Sequence, residues 1–230
     1  MFNLPDRTLF NRKIPKSKFY EKLKTNTKLK LNTKSEFNTK IKAMFIEQVD
    51  YIVWKHKLSK ETINLDPTDE VQEVQVFEIY LKQRKFSKEI LENIDKIIPY
   101  PILHVMIFEG EAKFAIAYKQ RNQNDQDRSV VHSYYESNWQ PVKDISINLT
   151  NGLDLKAVYE NIIRSLMTFT AVVGEDLDAT VKRQTVLEKL IRECARLEAK
   201  IKREKQFSRK VELNMELQTK KKEISTLSKS

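Results

Sequence analysis

Residues 102–118 read ILHVMIFEGEAKFAIAY, and this stretch decides the fold. Residues 102–108 are a continuous apolar run interrupted only by His104, the mark of a central strand buried on both faces. Glu109-Gly110-Glu111 is a tight turn. Phe114, Ile116 and Tyr118 then alternate with small or polar residues, as a return strand requires. An antiparallel hairpin therefore stands at the middle of a sheet.

The segments on either side extend this sheet. Upstream, residues 71–82 (VQEVQVFEIYLK) are rich in β-branched and aromatic side chains and read as a strand. Ser87 is placed to cap a helix whose apolar face is Ile90, Leu91, Ile94, Ile97 and Ile98, with Pro99 ending it. Earlier still, Met44, Phe45, Val49, Ile52 and Val53 recur at helical spacing, which predicts one helix from Ser35 to about Lys57. Residues 59–65 read as a short turn or partial helix stopped by Asp66-Pro67. Downstream, residues 120–128 are polar and read as a loop, residues 130–139 as a third antiparallel strand, and residues 145–149 as a short fourth. Asp154 opens a helix carrying Leu155, Val158, Tyr159, Ile162, Ile163 and Leu166 on one face, and Gly174 is placed to separate it from the C-terminal helix. The expected class is α+β: a mixed, mostly antiparallel sheet of four to five strands with flanking helices and a long C-terminal coiled-coil-type helix.

The chain thus divides into three regions: a basic arm and loop over 1–34, an α+β core over 35–174, and a long basic helix over 175–230. In the arm, Pro5 and Pro15 block a continuous helix, while Phe2, Leu4, Phe10, Ile14, Phe19 and Tyr20 are expected to pack along the core. Residues 25–34 read as an exposed loop. Residues 180–227 contain neither Pro nor Gly and read as one unbroken helix, roughly 70 Å long. Leu187, Leu190, Cys194, Leu197 and Ile201 are set at 3-4-3-4 spacing. In the same register Glu204 and Ser208 interrupt the seam before Val211 and Met215 resume it. Leu213, Leu217, Ile224 and Leu227 make a second stripe. The seven seam residues, Val211 and Met215 included, are the candidates for partner binding or for self-pairing into an oligomer.

Charge divides the same way. Residues 1–44 hold 12 Lys/Arg against 3 Asp/Glu, and residues 181–230 hold 15 against 7, within a chain of net charge +10. The two ends are thus +9 and +8 and the centre is −7. Basic ends suit phosphate backbones or acidic protein surfaces. The candidates for nucleic-acid contact are Arg12, Lys13, Lys16 and Lys18 in the arm, and Lys202, Arg203, Lys205, Arg209 and Lys210 in the helix. A single cysteine, Cys194, excludes an internal disulfide framework and suits a reducing, cytoplasmic setting. No apolar run is long enough to cross a membrane.

Signals for catalysis are sparse. The three glycines are isolated, so no phosphate-cradling loop exists, and the three histidines lack metal-ligand spacing. No metal or cofactor is expected. One alternative is a divergent metal-dependent nuclease, in which Glu111-Ala112-Lys113 supplies the acid and the charge-stabilising lysine, with Glu78 or Asp95 as a further acid. Tyr134, Tyr135 and Trp139 form the densest aromatic group, able to stack on bases or anchor a partner beside Arg128 and Lys143.

Across nearly its full length the chain resembles a bacterial and archaeal family, domain of unknown function 4391. The resemblance lies in Lys13-Ile14-Pro15-Lys16 with Phe19-Tyr20, Val76-Phe77-Glu78-Ile79, Ala117-Tyr118-Lys119, Tyr134-Tyr135 with Trp139, and Gly152-Leu153-Asp154-Leu155. Its most distinctive part is Arg203-Glu204-Lys205-Gln206 through Val211-Glu212-Leu213-Asn214. The chain departs from the family in a longer 25–39 segment and in the residues leading to Trp139. The resemblance implies a genomic setting beside helicases and DNA methyltransferases, in restriction-modification or anti-phage loci. The expected function is a non-catalytic accessory subunit that docks such a helicase or methyltransferase through the C-terminal helix and touches DNA backbone without reading sequence.

Overall fold

The computed structural model describes residues 2, 4–21, 31–122, 125–145, 147–167 and 175–228. It divides into two units, Met1–Met167 and Thr168–Ser230.

The first unit is built on a seven-stranded sheet. Its strands are β1 (Leu9–Ile14), β2 (Val49–Leu58), β3 (Val74–Leu81), β4 (Ile102–Phe108), β5 (Glu111–Asn122), β6 (Asp125–Glu136) and β7 (Gln140–Pro141). The first six lie side by side in chain order, and β7 adds to β5. The helices are α1 (Lys18–Glu21), α2 (Leu31–Gln48), α3 (Lys60–Ile63), α4 (Glu89–Ile97) and α5 (Leu155–Leu166). The β3–β4 pair is parallel and joined through α4, and every other pair is antiparallel. The mixed α+β class therefore holds, with more strands than the four or five expected.

The central hairpin forms as its sequence dictates. Glu109 and Gly110 both have positive φ (45° and 80°), the pairing that lets a two-residue loop match the twist of its strands. Residues 102–106 of β4 are fully buried. One sheet face presents Ile52, Phe77, Ile79, Met106 and Ala115 to Phe19 of α1, Ile41 and Phe45 of α2, and Ile90, Leu91 and Ile94 of α4. By strand alternation the other face carries Val76, Leu103, Val105, Phe114, Ile116 and Tyr135, which are also buried. Helix α5 lies against β5 and β6.

Five local expectations need correction. The helix predicted from Ser35 to Lys57 ends at Gln48, and Val49–Leu58 is β2. Val49, Ile52 and Val53 satisfy a helical period, but Tyr51-Ile52-Val53-Trp54 is also a β-branched and aromatic run, and pairing to both β1 and β3 settles the competition. Residues 31–34, read as loop, belong to α2, while 25–30 fall outside the described residues. The polar 120–128 segment extends β5 and β6, apart from 123–124, which are not described. Residues 145–149 form no strand among those described, and a 3-10 turn, Val142–Asp144, precedes them. Helix α4 also begins without a side-chain cap from Ser87. The arm packs in part as expected: β1 pairs with β2 and Phe19 is buried, while Phe10 stacks on Trp54 but stays exposed.

The second unit differs more from expectation. Its helix does not run unbroken. Helix α6 (Leu177–Arg203) has 27 residues, and α7 (Phe207–Leu227) has 21 and packs back on it. Glu204 and Gln206 are extended at the break. Glu204 Oε1 accepts from the Lys205 and Gln206 amides at 2.8 and 2.9 Å, satisfying N–H groups that a continuous helix would have paired. Cys194 and Leu197 cluster with Leu213 and Leu217, flanked by Ile201 and Ile224. Lys220–Glu193 (2.6 Å) and Lys221–Glu198 (2.9 Å) set the antiparallel register.

Gly152 sits where a Cβ would meet the Val158 amide nitrogen at 2.6 Å and Ala157 at 3.0 Å, both backbone atoms of α5. A Gly152→Ala variant is expected to lose about 1–3 kcal/mol through overpacking, measurable as a lower urea midpoint with an unchanged slope.

Candidate functional site

The densest chemistry of the first unit gathers around Asp95. Helix α4 turns Ile90, Leu91 and Ile94 to the sheet, and Asp95 lies beside them with no exposed surface. Residues 104 on β4, 119 on β5 and 134 on β6 share that face, so three neighbouring strands aim His104, Lys119 and Tyr134 at one carboxylate. Lys119 Nζ stands 2.8 Å from Asp95 Oδ1. His104 Nε2 and the Tyr134 hydroxyl donate to Oδ2 at 3.0 and 2.5 Å.

Burial by itself raises the Asp95 carboxyl, but Lys119 and then His104 more than reverse this and hold it well below the usual carboxylate range. Burial lowers Lys119, and Asp95 opposes that shift. Burial first and Asp95 second push the Tyr134 phenol far up, so it remains a donor. Lys119 also donates to the carbonyls of Ile98 (2.9 Å) and Tyr100 (2.7 Å), at the C-terminal end of α4 where a cation is favoured. Two of its protons are thus engaged by carbonyls while the ammonium faces Asp95 as an ion pair. Tyr159 locks the same region from α5, accepting from the Lys119 amide and donating to the Ala117 carbonyl, both at 2.7 Å. The carboxylate and ammonium pair with one another and with fixed donors and acceptors, while Asp95 Oδ1 meets Lys119 only as an ion-pair contact and His104 Nδ1 has no hydrogen-bond partner among the described residues; the arrangement suits a buried brace. Beside it, Lys88, Glu92, Lys96, His132 and Tyr134 line a cleft of about 370 Å³.

The four residues of the nuclease alternative do not meet. Glu78 lies on the opposite sheet face from Asp95, 3.4 Å from Lys55 and accepting from Tyr80. Glu111 pairs with Arg84 at 3.0 Å, and Lys113 with Glu136 at 2.6 Å. No group of acids, histidines and cysteines able to hold a metal occurs among the described residues. The aromatic group is divided too. Tyr134 faces Asp95 under Lys88 (4.7 Å to the ring), Tyr135 is buried on the other face, and Trp139 packs at the core edge beneath Arg84. Sequence reasoning missed the role of Lys119, and β5 gave no distinct signal for it, since the same strand also carries Lys113, Gln120 and Arg121.

In the arm, Arg12 and Lys18 are exposed and Lys13 stands 4.5 Å over the Tyr51 ring. Lys16 instead donates to the Val49 carbonyl at 2.7 Å, with its pKa lowered by burial and then by Lys82, so it anchors the arm. Thr8 Oγ1 lies 3.0 Å from His56 Nδ1.

The second unit distributes the remaining candidates. Leu187, Leu190, Cys194 and Leu197 are buried and Ile201 is partly so, with α7 closing the seam of the same chain. Val211 and Met215, placed on that seam by an unbroken register, are 43% and 67% exposed, and α7 uses the second stripe, Leu213, Leu217 and Ile224. Phe207 is 81% exposed beside them. Lys202, Arg203, Lys205, Arg209 and Lys210 are all exposed around the hairpin tip.

Lys119→Met is expected to destabilise by about 3–5 kcal/mol, because it leaves Asp95 buried and unpaired. Asp95→Asn with Lys119→Met should recover part of that loss in chemical denaturation at pH 7. The lowered Asp95 contributes stability above its unfolded value, near 3.9, and that contribution is lost as pH falls through the folded value. His56 behaves oppositely. Burial and then Lys55 lower it from 6.5 to about 4, so between those values the unfolded chain takes up a proton that the folded chain does not. Thermal stability is expected to fall as pH drops across that window, and His56→Gln should remove that component.

No curated protein and no solved structure matched the chain. The profile described as Domain of unknown function (DUF4391) matches residues 28–224, and with almost the whole chain covered, the protein belongs to that family.

Proposed function

We propose that the protein is a non-catalytic interaction subunit of a bacterial DNA-handling complex, of restriction-modification or anti-phage type. Its C-terminal helical hairpin docks a helicase or DNA methyltransferase partner. The observation that carries this reading is the hairpin tip. Residues 200–210 hold six Lys/Arg and one acid, and Phe207, Val211 and Met215 stand exposed at i, i+4 and i+8 on α7. Exposed Phe and Met ringed by arginine and lysine suit a partner with an apolar anchor and an acidic rim. Lys202, Arg203, Lys205, Arg209 and Lys210 are also placed to touch DNA backbone without reading sequence. In the first unit the charged side chains around Asp95 are engaged with one another, which supports a scaffold role for it. Because the seam of α6 is closed by α7, self-association would run through the exposed face of α7.

The test is co-purification of the full chain with the helicase and methyltransferase encoded beside it. Phe207→Asp with Met215→Asp touches only exposed positions and should abolish capture while the melting curve stays unchanged. Normal capture by this variant would overturn the docking role of the hairpin.

A further inference from the structure

Helix α6 carries a second surface, of which the proposed function uses only Arg203. Lys189, Arg192, Arg196, Lys200 and Arg203 recur at 3-4-4-3 spacing and are all exposed, on the side of α6 turned away from the seam. They extend over about 21 Å of helix, with a cation every turn or so. None of the five forms an ion pair or a side-chain hydrogen bond among the described residues. The acids that would neutralise them are directed elsewhere. Glu188 accepts from Gln184 at 3.0 Å, Glu193 pairs with Lys220, and Glu198 pairs with Lys221. These are the only acids between 182 and 203. Folding α7 back therefore does two things at once: it closes the apolar seam, and its lysines pair with two of the three acids, leaving a line of positive charge on the outside in which Lys189 and Arg196 still feel Glu193 but none of the five is ion-paired among the described residues.

We infer that this line is a backbone-tracking site for duplex nucleic acid. It is linear, its charges recur at a spacing comparable to that of phosphates, and it contains no apolar anchor. A protein interface would want an aromatic or aliphatic centre, which the line lacks. A membrane-surface helix would need a free apolar face, which α6 has buried against α7. Affinity would come from counterion release and carry no sequence preference. The inference rests on the hairpin being an interaction element and assigns its two outer faces: the α7 stripe to protein, the α6 line to phosphate backbone.

The experiment is fluorescence anisotropy of the full chain with a short labelled duplex of arbitrary sequence, over a salt series. The five contacts of this line contribute about −4.5 to the slope of log K against log salt, at about −0.9 per contact, on top of any contribution from Lys202, Lys205, Arg209 and Lys210 at the tip. Arg192→Gln with Arg196→Gln and Arg203→Gln should make that slope shallower by about 2.7, with an unchanged melting curve. Phe207→Asp should leave it unchanged, which separates this inference from the docking proposal. An unaltered slope in the triple variant overturns it. So does a triple variant that binds duplex normally but loses either the protein partner or phosphatidylserine vesicles.

Discussion

Asp95 and Lys119 form an ion pair with essentially no solvent contact, and the first unit is arranged around satisfying it. Two charges removed from water cost several kcal/mol each unless every remaining donor and acceptor finds a partner. Here the carboxylate takes Lys119, His104 and Tyr134, and the ammonium takes two further carbonyls at the end of α4. That set draws on one helix and three strands. It therefore fixes how α4 sits on β4, β5 and β6, and hydrophobic packing alone is less particular about such alignment. Tyr159 extends the constraint to α5 through the same stretch of β5. A brace of this kind accounts for the strongly shifted groups that gather here.

The hairpin depends on a different constraint. A single helix of such length would leave its apolar seam exposed, and folding back at residues 204–206 buries it within the chain. The cost is a few backbone hydrogen bonds, partly replaced by the Glu204 carboxylate. The outside keeps the side chains that the inner faces did not need: Phe207, Val211 and Met215 on one helix, and a row of unpaired cations on the other.

The central hairpin was legible because apolar run, turn and alternating return agree at every level. Helix α4 and helix α5 were legible for the same reason. Strand β2 was not, since Val49, Ile52 and Val53 fit both periods and only the neighbouring strands choose between them. The break in the C-terminal helix had a signal, the interruption of the seam at Glu204 and Ser208, together with a second stripe of leucines in a different register. Neither Pro nor Gly marked it, because the break is driven by the apolar surface that the two halves bury in each other.

Composition and periodicity by themselves determined the α+β class, the central hairpin, the basic ends and the absence of a phosphate-cradling loop. These depend on neighbours close in the chain. Only the tertiary structure decided that Asp95, His104, Lys119 and Tyr134 meet while Glu78, Glu111 and Lys113 each bind elsewhere. It also decided which stripe of the C-terminal helices is core and which is surface. Those outcomes turn on strand order, face alternation and helix pairing, and each places residues together that are well separated in the chain.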